Sequence, residues 1–243
     1  MTGLLWIAAS LVLLLILALW NRRSPRTYRD LPALARLKRE LGYSVEAGTR
    51  LHIGLGHANL ISSGAGSSLA SLAMLRQLSE RTSVGDLPPV ASSGEASLAL
   101  LSQDTLKSGY DAAGAPELFE PTTGRLVGLS PLGYAAGLMP LFQVEPVSTL
   151  ILSGRFGAEA GLIVDSAERA HATVLGASDD LAAQSVLFAS SHEPLIGEEL
   201  FAASAYLGGS PSHTASLTVQ DVMRWFVILV LLGGAAARLM GVI

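Results

Sequence analysis

Apolar residues run almost continuously from Leu4 to Trp20 and again from Trp225 to Ile243. Between them the pattern breaks into short β-rich runs alternating with helical stripes. Each terminal run is about long enough to cross a hydrocarbon core of roughly 30 Å as a helix, at about 1.5 Å of rise per residue. The intervening strand candidates are Arg50–Gly54, with a small β-arm at Tyr43–Glu46 ahead of it, then Pro88–Ser92, Arg125–Ser130, Thr149–Ser153 and Ala172–Gly176. The helices read as Leu31–Leu41, Ser68–Arg81, Glu95–Ala112, Leu132 to about Phe142, Ala158–Arg169 and Gly197–Leu207, the last stopping at Gly208-Gly209. Asp179 or Asp180 supplies the cap of a further helix, and Ser212 or Thr214 that of the helix leading into the second apolar run. The run Ser185–Ser190 has strand-like composition, but too few residues precede it for a parallel return, so it is assigned to helix.

Five apolar strands alternating with helices need crossover connections, which implies an α/β fold with a Rossmann-like, doubly wound, mostly parallel five-stranded sheet. N- and C-terminal transmembrane helices flank it. The expected organisation is a first span over 1–21, a basic juxtamembrane linker and helix over 22–45, the α/β domain over 46–210, and a capped helix running into the second span over 211–243.

Charge assigns a topology. No basic residue precedes the first apolar run and no small-residue cleavage site closes it, so it reads as an anchor and not as a signal peptide. It ends at Trp20-Asn21-Arg22-Arg23-Ser24-Pro25-Arg26, with Arg29 following. Positive charge beside a span stays inside, which places the central domain in the cytoplasm, both termini outside, and the protein in the inner (plasma) membrane. Asp221 and Arg224 ahead of Trp225-Phe226 suit a cytosolic interface, and Arg238 can snorkel to the far one. Small residues at Ala8-Ala9-Ser10 and Gly233–Ala237 favour close helix packing.

The stretch 22–46 carries seven Lys/Arg against three Asp/Glu, whereas 47–220 carries seven against sixteen. An acidic body disfavours nucleic acid as a partner. Its charged share is about half the roughly 25% usual in globular chains, which points to a surface covered by self-association or by other membrane proteins, with the lipid bilayer as the further partner. With no cysteine, disulfides, thiol catalysis and thiolate metal sites are excluded.

In such sheets ligands bind beyond the carboxyl ends of the strands. The ligand-binding candidates are therefore Gly54, Gly56, His57, Ser63, Gly64, Ser93, Glu95, Ser130, Ser153, Arg155 and Asp179. The Ser62–Ser68 stretch offers free N–H groups and hydroxyls to an anion; Arg155 would neutralise a phosphate or carboxylate, and Glu95 would accept from ribose hydroxyls. The dinucleotide fingerprint is incomplete, because Asn59 stands where its third glycine belongs, and no Gly-Lys pair forms a phosphate loop. Tight turns and helix caps are the competing reading of the same residues. Pro131 after Ser130 removes an N–H that an oxyanion hole would use, which argues against a serine hydrolase, and no catalytic residue is assigned. The histidines at 52, 57, 171, 192 and 213 lack metal-ligand spacing, and the pairs Asp179-Asp180 and Glu198-Glu199 read as helix N-terminal charge. Neither metal nor cofactor is identified.

Leu51-His52-Ile53-Gly54-Leu55-Gly56, Ser130 to Gly137, and Gly197 to Gly208 resemble an uncharacterised bacterial membrane-protein family, a domain of unknown function. The resemblance implies a Rossmann-like cytosolic body between terminal membrane helices and transfers no catalytic residue. The functional expectation is a non-enzymatic, membrane-anchored assembly protein that self-associates through its body. The alternative is a membrane-tethered binder, sensor or enzyme for a nucleotide-like or phosphorylated small molecule.

Overall fold

The computed structural model describes residues 12, 16, 30–61, 64–83, 85–208 and 211–240. The first apolar run falls outside them except at Val12 and Ile16, as do Arg22 to Arg29 and Ser63. The chain divides into two compact units, one of Asp30–Leu207 and the other of the two terminal segments.

The first unit is built around a strand with two unlike faces. In β1 (Arg50–Gly56), Leu51, Ile53 and Leu55 point to one side of the sheet and are buried there, while the alternate positions are His52, Gly54 and Gly56. Helices α1 (Pro32–Glu46), α2 (Ala65–Thr82) and α3 (Ala96–Ala113) cover the leucine side. Helix α1 starts at a proline suited to the first turn and buries Leu34, Leu37, Leu41 and Ser44, a helical spacing that continues through Tyr43–Glu46. The predicted β-arm there is thus the last turn of a helix. Leu31, Leu34, Leu37 and Leu41 belong to the core, so the compact body begins upstream of position 46.

Next come β2 (Val90–Ser93), β3 (Gly124–Leu126), α4 (Pro131–Leu138), α5 (Leu141–Val144), β4 (Val147–Arg155) and α6 (Ala160–Arg169). They are followed by β5 (Thr173–Ser178), α7 (Leu181–Ser190), β6 (Glu193–Leu195) and α8 (Glu199–Tyr206). The helix expected over Leu132–Phe142 is split, because Pro140 lacks the N–H needed to continue the ladder. Residues Ser185–Ser190 are helical in α7, which Asp180 caps by accepting from the N–H groups of Ala182 and Ala183 at 2.9 and 3.3 Å. Helices α4 to α7 supply the core on the second face, around Tyr134, Phe142, Leu150, Leu152 and Ile163.

The sheet has six strands, not five, in the order β3-β2-β1-β4-β5-β6, and every pairing is parallel. Strand β6 escapes a pattern search because it is three residues, Glu-Pro-Leu, with a proline that an edge position tolerates. Strand β3 is also shorter than expected. Its chain leaves the ladder after Leu126 and keeps one further bond, from Val127 N–H to the Ser93 carbonyl at 3.0 Å.

In the second unit, α9 (Pro211–Leu239) contains one stretch, Ala215–Leu239, long and apolar enough to cross a membrane by length and composition. The helix begins at Pro211, so Ser212 and Thr214 lie within it.

Candidate functional site

The strand order reverses between β1 and β4: the chain adds β2 and β3 on one side of β1, then crosses to add β4, β5 and β6 on the other. The crossovers leaving β1 and β4 therefore run to opposite faces, the arrangement beside which ligands bind in open parallel sheets. Gly56 and His57 leave β1 at this point, and Arg155 leaves β4. Gly56 pairs with Arg155 in the ladder, and His57 N–H donates to the Arg155 carbonyl at 3.0 Å.

Two of the predicted glycines serve the sheet itself. Gly56 has a φ of 70°, and a Cβ there would fall on the Arg155 carbonyl; only glycine lets the two strand ends approach this closely. At Gly54 a Cβ would meet the hydroxyl of Tyr134 at 3.0 Å. That hydroxyl is the hub of a buried network. Ser92 Oγ lies 2.9 Å from both the Tyr134 hydroxyl and His52 Nε2, and Tyr134 also donates to the Ser92 carbonyl at 3.2 Å. Burial pushes the Tyr134 phenol well above its usual range and the His52 imidazole down to about 3, with Arg125 and Arg50 adding to the latter effect.

His57 sits over this network. Its ring meets the Tyr134 ring edge-on, with centroids 4.8 Å apart, and crosses the end of β2, where a Cβ on Gly94 would lie 2.5 Å from Nε2. Nδ1 lies 3.8 Å from Oε1 of Glu159, whose side chain is only 6% exposed. Glu159 is held in turn by the N–H of Gly157 at 2.7 Å. Nε2 is buried without a hydrogen bond. Burial lowers the His57 pKa, while the Glu159 carboxylate and then the Ser130 carbonyl oppose that shift. Arg155 crosses to the start of α2: a Cβ on Gly64, the residue before that helix, would lie 3.0 Å from Arg155 Cδ and 3.1 Å from Nη1.

The structure thus brings His57, Gly64 and Arg155 together and gives Ser93, Glu95, Ser130 and Ser153 local tasks. Glu95 caps α3, accepting from Leu98 N–H at 2.9 Å and from the Ser97 hydroxyl; the Ser97 bond is the main reason its pKa is lowered. Ser130 caps α4 through Gly133 N–H at 3.1 Å. Ser93 Oγ donates to the Glu95 carbonyl, and Ser153 Oγ pairs with Ser71 Oγ at 2.9 Å inside the core. Asp179 follows β5, with Oδ1 buried and without a hydrogen bond. Sequence reasoning missed Glu159 and Tyr134. Glu159 falls within the helix expected over Ala158–Arg169, although Gly157 two residues earlier marks a turn, and Tyr134 falls within the helix expected from Leu132 to about Phe142. Among the described residues no group of three or more His, Asp or Glu is placed to hold a metal ion.

A family described as a domain of unknown function, DUF6754, matches residues 2–243. The chain belongs to this family. No curated protein and no solved structure matches it. Membership agrees with the resemblance to an uncharacterised family and brings no activity with it.

Proposed function

We propose that the body is a membrane-attached binding module for a small anionic ligand, a phosphorylated or carboxylated molecule, held at the β1/β4 switch. The observation that carries this reading is the reversal of strand order, which sets Arg155 against the start of α2 and His57 at the same strand ends. Guanidinium groups and helix N-termini are each common partners of anionic groups. Calorimetric titration of the full chain in detergent with inorganic phosphate should show saturable binding, and Arg155→Ala should weaken it at least tenfold. Absence of binding by phosphate and by carboxylate probes, with no change in Arg155→Ala, removes the reading.

We also propose self-association, on a separate observation. The body exposes Leu129, Leu132, Val144, Leu181 and Phe188 by 66–81% of their surface, and large apolar side chains are the usual material of subunit contacts. Cross-linking and mass measurement in mild detergent should yield a defined oligomer. A monomer across a wide concentration range counts against it. Anchoring by two spans with a cytoplasmic body belongs to the same proposal, supported by the apolar stretch Ala215–Leu239 and by the one-sided arginine cluster after residue 21.

A further inference from the structure

We infer that the exposed face of α7 is the surface through which two copies of this chain pair, side by side and running in the same direction. The inference rests on the self-association proposed above and names its surface. Helix α7 buries Ala183 and Leu187 against the body and leaves Leu181, Ala182, Ser185, Phe188 and Ala189 exposed. At about 100° per residue these positions fill roughly a third of the helix circumference, with Ser185 at the centre. Leu181 and Phe188 lie on one flank of that face, and Ala182 and Ala189 lie on the other. A two-fold axis along the helix direction turns each flank toward the opposite flank of the second copy. Leu181 of each copy then meets Ala182 of the other, Phe188 meets Ala189, and Ser185 faces Ser185 on the axis. Large side chains are set against small ones at both levels, which is the condition for close packing.

Three further features favour a second copy as the occupant. The Ser185 hydroxyl already donates to the Leu181 carbonyl of its own helix at 2.9 Å, so covering it strands no donor. No charged residue occurs from Leu181 to Ser191. A symmetric contact near its axis sets each charge against its own copy, and a face without charge escapes that repulsion. The face is also small: a helix of ten residues presents a strip about 15 Å long and roughly 10 Å wide, well below the roughly 800 Å² per partner of a standard interface. A contact of this size favours a copy already held nearby in the same membrane over a partner arriving from solution.

The chain contains no cysteine, so a single introduced thiol reports on its own surroundings. Helices packed at about 8–10 Å, with Cα atoms about 2.3 Å from each axis, bring the two Ser185 Cα atoms to roughly 5 Å, a distance that a disulfide spans. Mild oxidation of membranes carrying the full chain with Ser185→Cys should give a dimer-sized band on non-reducing electrophoresis. It should be at least tenfold stronger than that from Ala112→Cys, an exposed position on α3 across the sheet. Adding Ala189→Phe should weaken the Ser185→Cys band at least fivefold, because two aromatic rings then collide, and exchanging the pair as Phe188→Ala with Ala189→Phe should restore it to within twofold. Cooperative melting of each variant, expected at exposed positions, shows that none has misfolded. A band that Ala189→Phe leaves unchanged or strengthens overturns the inference, since a face that merely adheres to lipid or to other proteins gains from added apolar area. A defined oligomer by mass without the Ser185→Cys link overturns this surface and leaves self-association standing. A monomer at every concentration overturns both.

Discussion

Tyr134 shows how one side chain can organise a site without belonging to the chemistry. Its hydroxyl holds Ser92, and through it His52, while its ring supports His57. Tyr134→Phe keeps the ring and deletes the hub, leaving Ser92 with His52 alone; the expected loss is about 1–3 kcal/mol, the cost of stranding buried polar groups, read by urea denaturation. His52 makes a pH prediction with a definite sign. Its unfolded pKa is near 6.5 and its folded value about 3, so the unfolded chain binds the extra proton between these values. Stability is therefore full above about pH 6.5 and falls as the pH drops toward 3, by at most about 1.4 kcal/mol per unit from this group. The melting temperature of His52→Asn should fall less steeply over that window than that of the unmodified chain; parallel slopes contradict the assignment. At Gly56, where φ is 70°, alanine should cost more than about 1 kcal/mol from backbone strain alone, and its collision with the Arg155 carbonyl adds to this, measured by the same denaturation.

At the scale of elements, helix caps explain three of the polar residues at the strand ends, Glu95, Ser130 and Asp180. Asp180 and Glu95 each accept N–H groups that the first turn of a helix leaves unpaired. Glu95→Ala should lower stability by about 1 kcal/mol and leave phosphate affinity within twofold, whereas a ribose-binding carboxylate would show its loss in nucleotide affinity. The elements that sequence reading placed well are those with a long periodic stripe, such as α2 and α3, or a run of β-branched and leucine residues, such as β4. Those it misplaced are short or interrupted. Strand β6 has three residues, one of them proline, and α4 and α5 read as one helix until Pro140 is given its effect. The turn at Tyr43–Glu46 has strand-like composition but lies in register with Leu34, Leu37 and Leu41, and burial of that stripe outweighs local propensity.

For the whole molecule, the charge bias predicts an arrangement that can be measured directly. Protease added outside sealed right-side-out vesicles should leave residues 46–210 intact, and opening the vesicles should expose them. Cleavage in that region with the vesicles still sealed would reverse the topology. A cytoplasmic body would place the proposed anion site in contact with cytosolic phosphorylated metabolites, and the proposed anchoring would confine it to the membrane surface.

Hydrophobic period alone carried the α/β class, the parallel sheet and five of its six strands, because burying both faces of a parallel sheet demands apolar strands separated by helices. It also marked the strand ends as the place to look. Which of those residues meet was decided by strand order, and strand order is a matter of long-range pairing that no local pattern encodes. The reversal at β1 and β4 joined residues about a hundred positions apart, His57 to Arg155 and Glu159. It left Glu95, Ser130 and Ser153, equally good candidates by composition, to caps and core hydrogen bonds. Burial, also a property of the folded whole, turned an ordinary tyrosine and an acidic residue of an expected helix into the supports of the site.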